Sequence, residues 1–495
     1  MSSHFLRRAG LFLFTAVLLA GCSGSESPTV RISAKVMRDK IRGGWAGQTI
    51  GVCYGGPTEF RWEGAWIQDY VNLGYSAKQL EEYFNNDDLY MDFSFLAVFD
   101  SLGLDASSDA LALKFANAGF DLWHANQAGR WNILHGMMPP ASGYWKNNPH
   151  ADDIDFQIEA DFIGLLTPAM PATAVKLCDR VGHIMNYGDG VYGGMFVAAM
   201  YSHAFIESDI VKVVEKALLS LPPASGYARC ISDVIGWWRE NPEDWKACWY
   251  EVQKKWSEEV GCPEGVMRPN NIDAKLNGAY IVIGLLYGGG DFGKTIEIAT
   301  RCGQDSDCNP SNAGGVLGTL LGYSKIPEQW KVGFEGIEDK QFDYCNYSLN
   351  QVYDVNYRLA SELVTRGGGS VQENSWVINR EKPEPPDSLE VSFEGLTPAE
   401  QRPLGGTVLT KSWRTTFTGR AFVVDGNMQG NNGLAECHVF VDGKEIGQVT
   451  LSAQFHDRRT PLFWNYDLED GEHQLEIRKI GGEGVPQLQS LVTYR

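Results

Sequence analysis

An all-α bundle followed by an antiparallel β-sandwich is the fold class this 495-residue sequence predicts. Three observations carry it. Up to about residue 365 apolar residues recur at helical spacing, and no stretch alternates with period two for long. A Gly/Pro-rich connection follows, Gly367-Gly368-Gly369-Ser370 and then Pro383-Glu384-Pro385-Pro386. Alternation takes over beyond it, through Leu389, Val391 and Phe393, then Arg420 to Val424, then His438 to Val441. The expected division is 1–22 a signal peptide, 23–32 a tether, 33–365 the helical domain, 366–387 a linker, and 388–495 the sandwich.

Residues 1–22 carry Arg7 and Arg8, an apolar run from Leu11 to Ala20, and then Gly21-Cys22. A basic start, a short apolar core and small residues describe a secretory signal, too short to span a bilayer. Leu19-Ala20-Gly21-Cys22 resembles a bacterial lipobox, which implies lipidation at Cys22 and a place in the cell envelope, facing periplasm or exterior. The formal charge of −20 excludes nucleic acid and anionic membrane surfaces as partners. A monomer acting on a small molecule is expected. Nine further cysteines contain no C-x-x-C pair, which argues against structural zinc; an exported chain can pair some, and the odd number leaves at least one thiol free.

From Ser33 a helix built on Val36, Ile41 and Trp45 dissolves into small residues, Gly43-Gly44-Trp45-Ala46-Gly47-Gln48-Thr49-Ile50-Gly51, and ends in Gly55-Gly56-Pro57-Thr58-Glu59. Glu59 then stands on an irregular segment, where chemistry is commonly carried. Asn85-Asn86-Asp87-Asp88 precedes the apolar Leu89, Phe93 and Leu96, so it reads as a capped helix start with acids at the positive end of the dipole. Helices are expected over Ser107–Ala118 and Asp161–Leu177, the second broken by Pro168 and Pro171. Between them the acid-dense run Asp152 to Asp161 interleaves Ile154, Phe156 and Ile158, so part of it is buried; Asp155 and Glu159 are expected on a pocket wall. His183 to Asp189 stands before another small-residue helix, and both residues are candidates to touch substrate.

Five tryptophans from Trp237 to Trp256 fall at helical spacing and read mainly as core. Asp273–Leu286 and Phe292–Thr300 are helices, and the second delivers Gly303-Gln304-Asp305-Ser306-Asp307-Cys308, again at a loop-to-helix junction. Two oxygen-rich helix starts far apart in the chain could converge on one divalent cation or a pair. In the sandwich, Asp442-Gly443 and Asp470-Gly471 signal hairpins, and Phe463, Trp464 and Tyr466 are available for stacking on sugar.

Gly47-Gln48-Thr49-Ile50-Gly51 through Glu59, then Asn86-Asp87-Asp88, then Asp305-Ser306-Asp307-Cys308 together resemble the ADP-ribosylglycohydrolase family over residues 33–365. The resemblance implies a compact helical bundle binding two Mg2+ ions, or Mn2+. Asp87, Asp88, Asp305 and Asp307 would be the ligands, Asn86 and Cys308 would fill two threonine positions, and Glu59 would be the catalytic acid. His183 and Asp189 fall near a family segment that lines the pocket. Cys308 departs from the pattern: magnesium has little affinity for sulfur, so one cation would be weak, absent or of another kind. The family's Gly-Asn-Gly with a following arginine is not evident near Gln157 to Pro168, which weakens the case for a diphosphate substrate. The expected activity is metal-dependent hydrolysis of a ribosyl or related furanosyl bond outside the cytoplasm. The alternatives are removal of ADP-ribose from a modified substrate, and a non-catalytic glycan-binding lipoprotein. The sandwich resembles carbohydrate-binding modules.

Overall fold

A computed structural model describes residues 27–258, 261–270 and 272–495. The signal and Cys22 lie outside the described residues. The region before residue 370 is helical, with sixteen α-helices among the described residues. Its opening helix, Ala34–Gly55, starts on Ser33, whose side chain accepts from Val36 N, and it passes through the centre of the bundle.

Against it lies the helix Cys308–Leu321, and the two approach backbone to backbone. Glycines 43, 47, 51 and 55 recur every four residues, so they share one face of the opening helix. A methyl group on Gly47 would stand 2.1 Å from Gly314 O, and one on Gly51 2.0 Å from Pro310 O. Nothing larger than hydrogen fits there. The glycines therefore trade helix propensity for contact.

Eleven strands occur among the described residues: β1 Thr29–Ser33, β2 Ser370–Gln372, β3 Ser375–Asn379, β4 Pro398–Val408, β5 Ser412–Gly419, β6 Ala421–Gln429, β7 Leu434–Val441, β8 Lys444–Ser452, β9 Phe463–Asn465, β10 Gly471–Gly481 and β11 Val485–Tyr494. The first three form a sheet in the order β1-β3-β2. Both the expected tether and the expected linker thus contribute ordered structure. Thr29 to Ser33 pair with Asn379 to Ser375, and Trp376 is fully buried with its indole donating to Tyr357 Oη at 2.9 Å. Strands of three to five residues are too short for alternation to show in sequence.

The remaining strands make two four-stranded antiparallel sheets, β5-β10-β7-β8 and β4-β11-β6-β9, enclosing a core that includes Phe422, Val424, Leu475 and Leu491. Asp442-Gly443 is the hairpin expected, joining β7 to β8 with both residues at positive φ. Asp470-Gly471 is not a hairpin. The β9 strand before it pairs with β6, whereas β10 belongs to the opposite sheet between β5 and β7.

The sandwich is docked on the helical domain, not hung from it. Ala421, Val423, Val492 and Tyr494, on the outer face of β6 and β11, are buried with Phe393 and Tyr466 against Trp145, Ala151 and Val266. This accounts for the unbroken apolar run 421–424: β6 is covered on both faces. The aromatic residues expected to stack on sugar are occupied otherwise. Phe463 lies in the sandwich core, Tyr466 lies in the domain contact, and the Trp464 indole donates to Lys146 O at 2.9 Å.

Replacing Gly51 by alanine is expected to cost about 3 kcal/mol, because a methyl group cannot be accommodated between two backbones. Gly236→Ala, on a helix where an added Cβ meets nothing, is expected to gain up to about 1 kcal/mol. Urea unfolding midpoints of the two variants check this. Equal midpoints would mean that the helix contact is not a constraint.

Candidate active site

Packing the opening helix against helix 308–321 sets the end of the first beside the start of the second. The segment carrying Glu59 is then tied to the Asp305 turn by main-chain pairs: Phe60 N donates to Gln304 O at 3.1 Å, Gln304 N to Trp62 O at 2.8 Å, and Ile67 N to Arg301 O at 2.7 Å. Thr58 Oγ1 meets Ser306 Oγ at 2.9 Å. Gln304 itself adopts φ +56, and Gly303 φ +81 sits where a Cβ would be 2.3 Å from Ala65 O.

The helix Asp87–Leu102 is capped by Asn86, whose Oδ1 accepts from Asp88 N at 3.0 Å. That cap turns the Asn86 amide nitrogen toward Asp307 Oδ2, 3.5 Å away. The Asn86 oxygen is thereby engaged by main chain through one of its two lone pairs. The Cys308 thiol donates to Asp88 Oδ1 at 3.1 Å, and burial among carboxylates pushes it well above the usual thiol range. That direction favours the thiol as a donor. The two motif positions that differ from threonine therefore supply hydrogen bonds to the acids.

The acids converge. Glu59, Asn86, Asp87, Asp305 and Cys308 line one cavity of about 450 Å3, with Asp155 and the side chains of Ile154, Ile158 and Ile272 on its other walls. Asp88 and Asp307 are buried. Oxygens of Asp305 and Asp307 and the sulfur of Cys308 all lie within 4.8 Å of one another. Asp88 Oδ2, Asp305 Oδ1 and Asp307 Oδ1 are buried without a hydrogen-bond partner. Buried carboxylate oxygens left so are rare and need a counter-charge. A hard divalent cation bound through oxygen fits this donor set.

Burial raises every one of these carboxyls, and repulsion adds to it for Glu59, Asp87, Asp88 and Asp305. Loss of solvation, then Asp307 and Asp87, push Glu59 up to about 8. Loss of solvation and Asp307 push Asp87 up to about 6 and raise Asp88 and Asp305 as well; Asp307 itself is raised by burial, against hydrogen bonds from Asp305 and Asn86 that lower it. Behind them Gln48, from the small-residue run, donates to Asp88 O at 3.0 Å and to Asp92 Oδ2 at 2.9 Å.

Asp155 lines the cavity and also accepts from Ala125 N and Asn126 N at 3.3 and 3.0 Å. Glu159 is fully buried, bound by the Asn126 amide, with Oε2 unpartnered. His183 and Asp189 do not line this cavity. His183 Nε2 is paired with Glu390 at 3.0 Å, pinning the segment before the sandwich, and Asp189 accepts from Tyr227 N at 3.0 Å beside a different cavity.

Trp123, His124 and Asn126 also line the pocket and carried no sequence signal. They open the helix His124–Leu134, which has no side-chain cap of its own. Its free N–H groups are met by Asp155, thirty residues on, so no local motif announces it.

The ADP-ribosylglycohydrolase family model matches residues 33–368. The chain belongs to the ADP-ribosylglycohydrolase family. Membership makes it a hydrolase of glycosyl bonds, and members of this ADP-ribosylglycohydrolase class typically depend on a divalent metal, in keeping with the oxygen cluster above. No curated protein matches the chain. One solved structure, an "ADP-ribosylglycohydrolase-related protein complex", is similar at 12% identity and a TM-score of 0.44, covering 66% of this chain and 98% of its own.

A carboxyl whose pKa is raised by folding stabilises the folded state only while protonated. The metal-free protein therefore loses stability as pH climbs from about 4 through the raised value of about 8 for Glu59. A cation opposes that loss. Mn2+ or Mg2+ is expected to raise the unfolding midpoint more at pH 8 than at pH 5.5, and Asp305→Asn to abolish the rise. A shift independent of pH, or one that survives in Asp305→Asn, would place the cation elsewhere.

Proposed function

We propose that the chain is a metal-dependent glycohydrolase cleaving a ribosyl or related furanosyl bond outside the cytoplasm. One observation supports this reading over the others: the pocket is lined by acids, amides, aromatic and aliphatic groups, and no lysine or arginine is among its lining residues. A diphosphate entering there would meet Glu59, Asp87, Asp155 and Asp305 with no fixed positive charge. A neutral sugar meets no such barrier.

Cations held by Asp87, Asp88, Asp305 and Asp307 would supply positive charge to orient a sugar's vicinal hydroxyls and activate water. Glu59 is the acid of the pocket. Burial and the neighbouring carboxylates raise its pKa, the direction that suits a carboxyl to exchange a proton with the leaving oxygen. The rigid main-chain pairing of residues 60 and 62 with Gln304 holds it opposite the aspartates. Ile154, Ile158, Ile272 and Leu122 narrow the pocket and limit water.

A second reading, removal of ADP-ribose from a modified substrate, is favoured by the family match itself; cations bridging the phosphates would have to replace the missing basic groups.

Glu59→Gln is expected to lower kcat by about 100-fold or more while retaining the metal-induced rise in unfolding midpoint. Full activity in that variant would remove Glu59 from the mechanism. A screen of aryl furanosides beside ADP-ribosyl substrates decides between the readings: release of ADP-ribose with no furanoside turned over overturns the first. The proposal includes a lipid anchor on Cys22, from the Leu19-Ala20-Gly21-Cys22 sequence. Cys22→Ser is expected to release the protein from the membrane fraction, and retention there would contradict the anchor.

A further inference from the structure

The catalytic pocket does not end at the helical domain. A second cavity of about 290 Å3 adjoins it, and Trp123 and His124 line both. Its far side is built by the sandwich, through Asp425, Arg458 and Gln489 among others.

Three features show this space to be organised for a polar ligand. Gln127 lines it at only 4% exposure, and its amide nitrogen has no hydrogen-bond partner. Buried amides are seldom left so, and an unpaired donor in the wall of a cavity calls for an acceptor. In β11 the pairing with β6 runs Leu488 to Gly426 and then Ser490 to Asp425, skipping Gln489. Gln489 is thus the extra residue of a β-bulge, a device that re-aims one side chain, and it is exposed and lines the cavity beside Asp425. The loop Phe455–Asp457 of the sandwich braces the shared wall: Phe455 meets Trp123 edge-on with centroids 5.6 Å apart, and Arg458, stacked over Phe455, donates to Leu122 O at 3.2 Å. Trp123 remains 43% exposed.

The chemistry is that of a hydroxyl-rich, uncharged ligand. Amides, two carboxylates, two imidazoles and a guanidinium offer planar donors and acceptors that pair with neighbouring hydroxyls, and the indole offers an apolar surface. Glu264 and Asp425 face the same space as Arg458, so a phosphate is disfavoured. We infer that this cavity is a sugar subsite, that the substrate is an oligosaccharide of at least two residues, and that the sandwich holds the sugar next to the one cleaved. The inference rests on the furanosyl reading above. It makes the sandwich a wall of the active-site cleft, where a separate carbohydrate-binding module was expected.

The test uses the full chain and the variant Asp425→Ala/Gln489→Ala, with Gln489→Ala alone as a fallback should the double variant not fold. Probes are the 4-nitrophenyl furanosides of arabinose, galactose and ribose and the trisaccharide of whichever sugar is turned over. Wild type is expected to show kcat/KM at least tenfold higher on the trisaccharide than on the aryl monosaccharide. The variants are expected to reduce that ratio at least tenfold for the double and measurably for the single. A monosaccharide turned over with no advantage for the trisaccharide, or a ratio unchanged in the variants, overturns the subsite and leaves the furanosyl reading standing. Turnover of ADP-ribosyl substrates alone overturns both. His124, His150 and Glu264 could instead gather a metal ion, their ligand atoms lying within 4.8 Å of one another. Zn2+ uptake that is lost in His124→Ala and blocks the trisaccharide would likewise overturn the subsite.

Discussion

Contact between two helix backbones governs this molecule. Along one face of the opening helix, side chains are absent at every fourth residue, and the partner helix fills the groove with its own glycines and main chain. Because neither helix can slide without driving carbonyl oxygens into Cα atoms, the register between them is fixed. Glu59 leaves the end of one helix where Asp305 and Asp307 begin the other, and the main-chain pairs around Gln304 lock the two segments together. The geometry of the acidic pocket is inherited from packing.

That rigidity permits an arrangement no flexible chain would tolerate. Asp88, Asp305 and Asp307 are buried beside one another, Asp307 raising the other two, while Asn86 and Cys308 contribute single hydrogen bonds to the cluster. Repulsion of this kind opposes folding unless protons or cations neutralise it. A divalent cation bound there would relieve several unfavourable charges at once. The pocket in front of it stays acidic and apolar.

Much of this was legible in the sequence. The two acidic helix starts and Glu59 converge as their motifs imply, since small-residue helices and N-caps are local features. The change from helical spacing to alternation at the connection was equally plain. Other parts were hidden because their causes are distant. The helix beginning at His124 is capped by a carboxylate thirty residues away, and β1 finds its partner some 340 residues on. His183 and Asp189 stand before a small-residue helix much as the residues lining the acidic pocket do. Their side chains, however, serve a contact with the segment before the sandwich and a helix start. Cys308 shows the finer limit: sequence says that a thiol replaces a hydroxyl, and only the fold shows that it points its proton at Asp88.

The doubly covered strand β6 carries one consequence for how the chain comes apart. Its inner face belongs to the sandwich core and its outer face to the contact with Trp145 and Val266. Melting either domain would bare apolar surface on the other, so the two cores, separate as they are, are coupled through this one strand. Loss of the sandwich would strip its cover from Trp145 and Val266 and leave the helical domain less stable than it is in the whole chain.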